Sequence, residues 1–590
     1  MQADVPTGGT GQAALEWGSD PVAEVLRRLA VPYVALTPGS SYRGLHDSLV
    51  NYLGNTRPQL IVCLHEEHAV AVAHGYAKVT GEPLAVAVHS NVGLMHATMA
   101  IYNAFCDRVP MLVVGATGPL DAAARRPWID WIHTAADQAA LVRPYVKWDD
   151  QPGSVQAAVD ALVHANAVTR SYPRAPVYVC LDAGLQEARL TGPVSFPPLD
   201  RFAPTPPPAA PAALAEQIAI LLARAQRPLI LAGRVGRSPA AWCDRVALAE
   251  RLGAAVLTDL KVAAAFPTDH PLHVAPPGVF LTPAGRQLVG RADLILSLDW
   301  VDLGGTLRDV FPDVAATPTV ISCSVDQHLH NGWSKDHFRL PVSDLTVPYE
   351  PDSVVAALLS APQLAAGTRR GWAAPAEAAA TSGDGQPDGI SMSMLARALR
   401  AAVGDRAVCL SRLPLGWHGE FWPFRHPLDY TGHEGGAGVG AGPGLAVGAA
   451  LALAGSGRLC VAVMGDGDFL MGSAALWTAA HYRLPLLVVV ANNRSFFNDE
   501  VHQQRVAVRR GRAVENRWVG QRIDDPAPDL AALARSYGLS GHGPVRGDAG
   551  LAAALRTAVD ECGAGAAVVV DVHVNAAGYP GLAESATGSR

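Results

Sequence analysis

Short apolar runs recur along the chain, separated by longer stretches whose apolar residues fall at helical spacing. Apolar runs of about four to eight residues read as strands buried on both faces, and their alternation with helices marks parallel α/β sheets. In the first third, YVALT, LIVCL, LAVAV and MLVVG predict strands, with helices over 67–79 and 94–105 between them. The middle third contributes PLILAG, AAVLT, LILSL and TVISC, and the last third RAVCL, LCVAVM, LPLLVVVA and AAVVVDV.

Two proline- and alanine-rich stretches, 191–211 and roughly 361–389, interrupt this rhythm. Proline removes backbone donors and small side chains bury little, so both read as linkers. They leave units at 12–190, 205–360 and 388–580. The expected fold class is α/β, with three doubly wound parallel-sheet domains in series. A length of 590 residues, more than one core organises, agrees with that division.

Composition narrows the function classes. Hydrophobic residues at 49% against 17% charged indicate a compact globular protein. A net charge of -7, with no Lys/Arg stripe, argues against nucleic acid and membrane surfaces as partners. The N-terminal MQADVPTGGTGQ lacks the pattern of a secretion signal, and no uninterrupted apolar run reaches the ~18 residues of a membrane span. Eight scattered cysteines without a C-x-x-C pair read as reduced thiols in a cytoplasmic protein.

Candidate chemistry gathers at strand ends. The strand expected at 459–464 runs into Gly465-Asp466-Gly467-Asp468, with a helix expected over 472–483; the strand at 486–491 stops at Asn492-Asn493. A right-handed crossover puts both strand ends on one edge, so Asp466 and Asn493 converge. A carboxylate and an amide oxygen suit magnesium, which takes oxygen ligands and lets phosphate complete its shell. The glycines beside Asp466 let backbone N–H groups approach phosphate. An ordinary strand-to-helix turn explains Gly-Asp-Gly alone, but not the matching Asn-Asn. In the first third, Ser40 (TPGSS), Glu66 (HEEH) and His89 (HSN) follow successive strands, on the edge where α/β proteins bind ligands. HEEH is not a zinc-protease motif, whose second histidine would fall at Ala69.

Gly465-Asp466-Gly467 followed by Asn492-Asn493 resembles the thiamine-diphosphate motif of the 2-oxo acid decarboxylase and acetohydroxyacid synthase-like family. The segments GGAGVGAGPGLAVGAALAL and LHEEHAVAVAHGYAKVTG resemble that family's pyrimidine-binding and glutamate segments, and ALWTAAHYRLP is similar to benzoylformate decarboxylases. The resemblance implies an N-terminal pyrimidine-binding domain, a middle Rossmann-like domain and a C-terminal diphosphate-binding domain. It assigns Mg2+ to Asp466, the Asn493 side chain and the Ser495 carbonyl, and the cofactor to Gly465, Gly467, Asp468, Asn493, Ala437 and Val439. Val439 would be the apolar wedge under the cofactor. Glu66 would hydrogen-bond the pyrimidine and promote its imino tautomer. The His-Ser and Pro-Gly-Ser segments, shared with benzoylformate decarboxylases, imply that Ser40 orients the substrate carboxylate and His89 relays protons.

The implied activity is thiamine-diphosphate- and Mg-dependent decarboxylation of a 2-oxo acid through an enamine, in a homodimer or homotetramer with active sites between subunits. An acetolactate synthase-like carboligase is the alternative, and a non-catalytic cofactor-binding relative a third reading. Those decarboxylases bring a second histidine from the middle domain, where this chain reads DWVDLGGTLRD; Asp302 is one candidate replacement. PLILAGRVGRS stands where some relatives bind FAD. Gly233 and Gly236 do not complete G-x-G-x-x-G, so a structural middle domain is favoured over a flavin site. His328 and His330 read as surface residues. Trp128, Trp131 and His133 would border the pocket or a subunit interface, and Trp417, Phe421, Phe496 and Phe497 would shape an apolar acyl pocket.

Overall fold

The computed structural model describes residues 4–8, 14–326, 341–364, 369–374 and 389–575. Three sheets follow one another along the chain. The first contains β1 (Tyr33–Leu36), β2 (Gln59–Val62), β3 (Ala85–Val88), β4 (Met111–Thr117), β5 (Trp148–Asp150) and β6 (Pro176–Asp182), in the order β2-β1-β3-β4-β6-β5. The second contains β7 (Pro228–Ala232), β8 (Ala255–Thr258), β9 (Leu294–Leu298), β10 (Thr319–Cys323) and β11 (Leu345–Val347), ordered β11-β10-β9-β7-β8. The third contains β12 (Val408–Arg412), β13 (Leu459–Gly465), β14 (Leu486–Asn492), β15 (Ser540–Val545) and β16 (Ala567–His573), ordered β12-β13-β14-β16-β15. The pairings within each sheet are parallel, so the expected α/β class with three doubly wound sheets is the fold observed.

Crossover helices cover both faces of a parallel sheet, which selects strands that are apolar throughout. β4, β6, β7, β9 and β14 are buried at every position. Three edge strands went unpredicted: β5 (WDD), β11 (LTV) and β15 (SGHGPV), each only partly buried. The helix expected over 472–483 is two short helices, Asp466–Gly472 and Ala475–His481, the first starting at Asp466 itself. The glycines of DGDFLMG, poor helix formers, hid that earlier start.

Helices α1 (Glu66–Thr80), α2 (Ser90–Cys106) and α3 (Gly442–Leu453) join the first and third sheets. α1 and α3 cross with their backbones nearly touching. A Cβ at Gly448 would lie 1.9 Å from the Val72 carbonyl oxygen, and one at Gly75 2.1 Å from that of Leu445. Glycine at both positions is therefore a packing requirement. One apolar cluster runs through this crossing, from Ile61 and Val72 to Ala446, Leu476 and Val488. Six of the eight cysteines are buried, and all eight are free thiols. Among the described residues no helix is long and apolar enough to cross a membrane.

Candidate active site

Two separate edges carry the candidate chemistry. On the third sheet, β13 and β14 pair with Gly465 opposite Ala491, which sets Asp466 beside Asn492-Asn493 as the crossover argument required. Asp466 begins a helix just after Gly465 and is 3% exposed. Burial pushes its carboxyl up to about 6, against the backbone N–H groups of Gly467, Asn493 and Ser495 that favour the ionised form. Its Oδ2 is buried with no hydrogen-bond partner among the described residues. A buried carboxylate oxygen is costly to leave unpaired. An orphaned oxygen beside the Asn493 amide at one strand edge fits a hard divalent cation, which favours oxygen ligands.

The two asparagines are not equivalent. The Asn493 Oδ1 accepts the Ser495 N–H at 3.0 Å, whereas Asn492 is tied inward, donating to Asp571 at 2.9 Å and accepting the Arg494 N–H at 3.0 Å. Ser495 donates its hydroxyl to Glu500 at 2.6 Å. The neighbouring glycines also differ. A Cβ at Gly465 would meet open space, while one at Gly467 would strike the Phe496 ring at 2.5 Å.

The Asp468 carboxylate works inside the protein. Its Oδ1 accepts the Gly440 N–H at 2.7 Å and the Gly442 N–H at 3.3 Å, and its Oδ2 accepts Arg412 Nε–H at 2.9 Å. Arg412 also pairs with Glu434 and meets His433 Nδ1 at 3.1 Å. From the other side, buried Lys78 pairs with Asp107 and donates to the His433 carbonyl. The 433–442 loop is thus clamped at both ends. Within it Gly436 and Gly438 pack on Tyr102, Met99 and Asn103 of α2, while Ala437 and Val439 face outward, Val439 being 46% exposed. An outward valine on a loop held this firmly suits an apolar contact with a ligand.

On the first sheet, Ser40, Glu66 and His89 stand at the carboxyl ends of β1, β2 and β3, with Glu66 opening α1 and His89 immediately preceding α2. It is Ser41, not Ser40, that engages His89. Ser41 Oγ lies 2.9 Å from His89 Nδ1 and accepts the Ser90 N–H at 3.1 Å, and the Ser41 N–H approaches the same ring nitrogen at 3.3 Å. With Nδ1 accepting, the proton of the neutral ring sits on Nε2. His133 meets His89 edge to face at 4.8 Å. Burial, and secondarily His133, lowers the basicity of His89, opposed by Glu66. Ser40 is half-buried, and its carbonyl accepts Arg43 Nη1–H at 2.9 Å.

Glu66 is 7% exposed and lies 3.0 Å from His96 Nδ1 through its Oε2. Sequence reasoning missed Ser41, His96 and Arg412. The serine tandem was visible but could not be resolved, and the other two belong to no motif. Trp128 and Trp131 are exposed beside the first edge. Trp417 packs in the core of the third sheet. Asp302 is an exposed helix cap whose Oδ1 accepts the Gly305 N–H at 2.9 Å. His328 and His330 lie outside the described residues.

Family models of thiamine pyrophosphate enzymes match all three units: the N-terminal TPP binding domain at 16–141, the central domain at 215–326 and the C-terminal TPP binding domain at 414–572. The chain belongs to this family. It is a thiamine-diphosphate enzyme with both decarboxylases and synthases among its relatives. It is 27% identical over 519 residues to a probable 2-ketoarginine decarboxylase of Pseudomonas aeruginosa, covering 84% of this chain and 83% of that one. It is 26% identical to benzoylformate decarboxylase of the same organism, covering 88% and 92%. Acetolactate synthase isozyme 1 large subunit of Escherichia coli is 23% identical, with 83% of each chain covered. In fold it resembles benzoylformate decarboxylase from Polynucleobacter necessarius, with a TM-score of 0.75, 20% identity and coverage of 95% and 98%.

A cavity of about 610 Å³ lies away from both edges, beyond the end of β7. Charged side chains already occupy its walls. Arg234 and Arg108 pair with Asp299 and Asp326, and the Gly236 N–H is taken by Asp352 at 2.6 Å. Gly233 is required because a Cβ there would strike the Asp299 carbonyl oxygen at 2.1 Å.

Proposed function

We propose that this enzyme decarboxylates a 2-oxo acid with thiamine diphosphate and Mg2+. The observation that carries the reading is His89, poised by Ser41 at the end of β3 with its proton on Nε2. When bound, thiamine diphosphate supplies the electron sink for the electrons left as carbon dioxide departs. The chain's own residues supply the rest. Asp466, Asn493 and the Ser495 carbonyl hold the metal, Gly465 admits the diphosphate, and Val439 and Ala437 meet the pyrimidine. Glu66 exchanges a proton with the pyrimidine ring. Ser40 orients the substrate carboxylate, and His89 delivers a proton to the product carbon.

Two relatives named as decarboxylases, matched over most of both chains, support this reading. A carboligase is the second reading, favoured by Asp299 and Asp302, which are committed to an ion pair and a helix cap where a second proton donor would stand. Retention of Glu66, Asp466 and Asn493 speaks against a non-catalytic relative. The two sets of residues stand on different sheets, and we take the active unit to be a homodimer or homotetramer, each site pairing residues 12–190 of one copy with residues 388–580 of another. The carboxylate already on the Gly236 N–H supports a middle unit, 205–360, without FAD. A cytoplasmic location accords with the reduced thiols.

The deciding experiment incubates the protein, thiamine diphosphate and Mg2+ with a panel of 2-oxo acids and measures carbon dioxide, aldehydes and ligation products. Aldehyde with stoichiometric carbon dioxide is expected, lost in Glu66→Gln. Products carrying a second carbonyl substrate's carbons would establish the carboligase, and unimpaired turnover by Glu66→Gln would remove Glu66 from the mechanism.

A further inference from the structure

The partner of Glu66 has no role in the chemistry above. Glu66 opens α1 and His96 sits on α2, and the two meet through Oε2 and Nδ1 at 3.0 Å. Both members are held in place. His96 stacks on His65 with ring centroids 4.8 Å apart and planes at 25°, and His65 is fixed in turn because its Nδ1 accepts the Glu67 N–H at 3.2 Å. The other carboxylate oxygen, Oε1, lies against Gly93, where a Cβ would approach it to 2.9 Å. The Glu66 side chain is 10% exposed and that of His96 56%, so the imidazole is the outward member of the pair.

We propose that His96 is the proton-exchange partner of Glu66. The inference rests on Glu66 acting on the cofactor pyrimidine as argued above. A carboxylate that shuttles a proton to and from a buried ring must itself be reset, and a nearly buried carboxylate exchanges slowly with water. Histidine is the side chain whose charge changes nearest neutrality. When Glu66 is protonated on Oε2, that proton passes to His96 Nδ1 while Nε2 releases its own proton outward. The ring ends neutral, in the other tautomer, with Nδ1–H donating to the restored carboxylate. One proton leaves Glu66 and one leaves the ring on the far side. The other titratable groups around the pair are His65 and Glu67 on its own side, with His68 beyond His65, and His89 and Tyr42 from the neighbouring elements, both of which feel the Glu66 charge.

The test needs no knowledge of the substrate. Deuterium exchange at the thiazolium C2 of bound thiamine diphosphate, quenched and read by NMR, reports on Glu66 directly. In the wild type the rate is expected to rise with pH through the histidine range. In His96→Asn, which keeps a polar group but carries no proton, the rate is expected to fall by about tenfold and that limb to vanish, a charge-assisted hydrogen bond being worth about that factor. His65→Asn, which removes the stacking ring alone, keeps the limb. An unchanged pH profile in His96→Asn overturns the inference and leaves the role of Glu66 standing. Unimpaired exchange in Glu66→Gln overturns the role of Glu66 itself.

Discussion

Asp466→Asn takes a charge out of a buried site where, among the described residues, only backbone N–H groups favour the ionised form. The carboxyl is 3% exposed and raised from 3.8 to about 6, with burial as the leading cause. That gap corresponds to about 3 kcal/mol against the ionised form. A carboxyl raised in the folded state stabilises most below 3.8 and loses that contribution as pH climbs through about 6. The asparagine has no such dependence. Its unpaired amide costs about 1–3 kcal/mol, but does so at every pH. Relative to the wild type, the variant should therefore gain about 1.4 kcal/mol between about pH 5 and about pH 8.

Urea denaturation in EDTA, followed by tryptophan fluorescence at both pH values, measures the difference. A chain with three sheets need not unfold in two states, so the comparison between variant and wild type is the quantity to read. Adding Mg2+ and thiamine diphosphate at the higher pH should then stabilise the wild type, by about 2.7 kcal/mol at a hundredfold excess over Kd, and leave the variant unmoved. A variant-to-wild-type difference that is the same at both pH values would refute the buried-charge argument. Equal stabilisation of both proteins by cofactor and metal would refute Asp466 as a metal ligand.

Two further substitutions probe the framework. Gly448→Ala places a methyl 1.9 Å from the Val72 carbonyl oxygen and 2.8 Å from the Tyr76 nitrogen, so α1 and α3 must separate. Such overpacking costs about 1–3 kcal/mol, and the thermal midpoint by circular dichroism should fall, while Gly153→Ala, which meets nothing within 4 Å, leaves it unchanged. Ser41→Ala removes the hydroxyl from His89 Nδ1, and kcat should drop about tenfold with little change in KM, whereas Ser40→Ala should raise KM. The opposite pattern would refute Ser41 as the residue that positions His89.

What the sequence revealed depends on whether a residue's surroundings are set locally. A parallel strand buried on both faces must be apolar throughout, so β4, β7, β9 and β14 announced themselves, while the half-exposed edge strands β5, β11 and β15 carried no such signature. The strand ends were legible for the same reason. Once β13 and β14 are parallel neighbours, the handedness of the crossover delivers Asp466 to Asn493 without knowledge of any side chain. Side-chain partners are a different matter. Ser41 and His89 are 48 positions apart, Arg412 and Asp468 56, and Lys78 and His433 355, and each pairing depends on how two elements pack. Periodicity tells which face of a helix is buried, not which residue of the neighbouring element it meets. That is why Asp468, read as part of a cofactor turn, has a carboxylate that anchors the 440–442 backbone, and why His96 drew no notice in a sequence that had already singled out Glu66. The parts of a site that a fold dictates can be read early; the partners that tune those parts become visible only when the helices are in place.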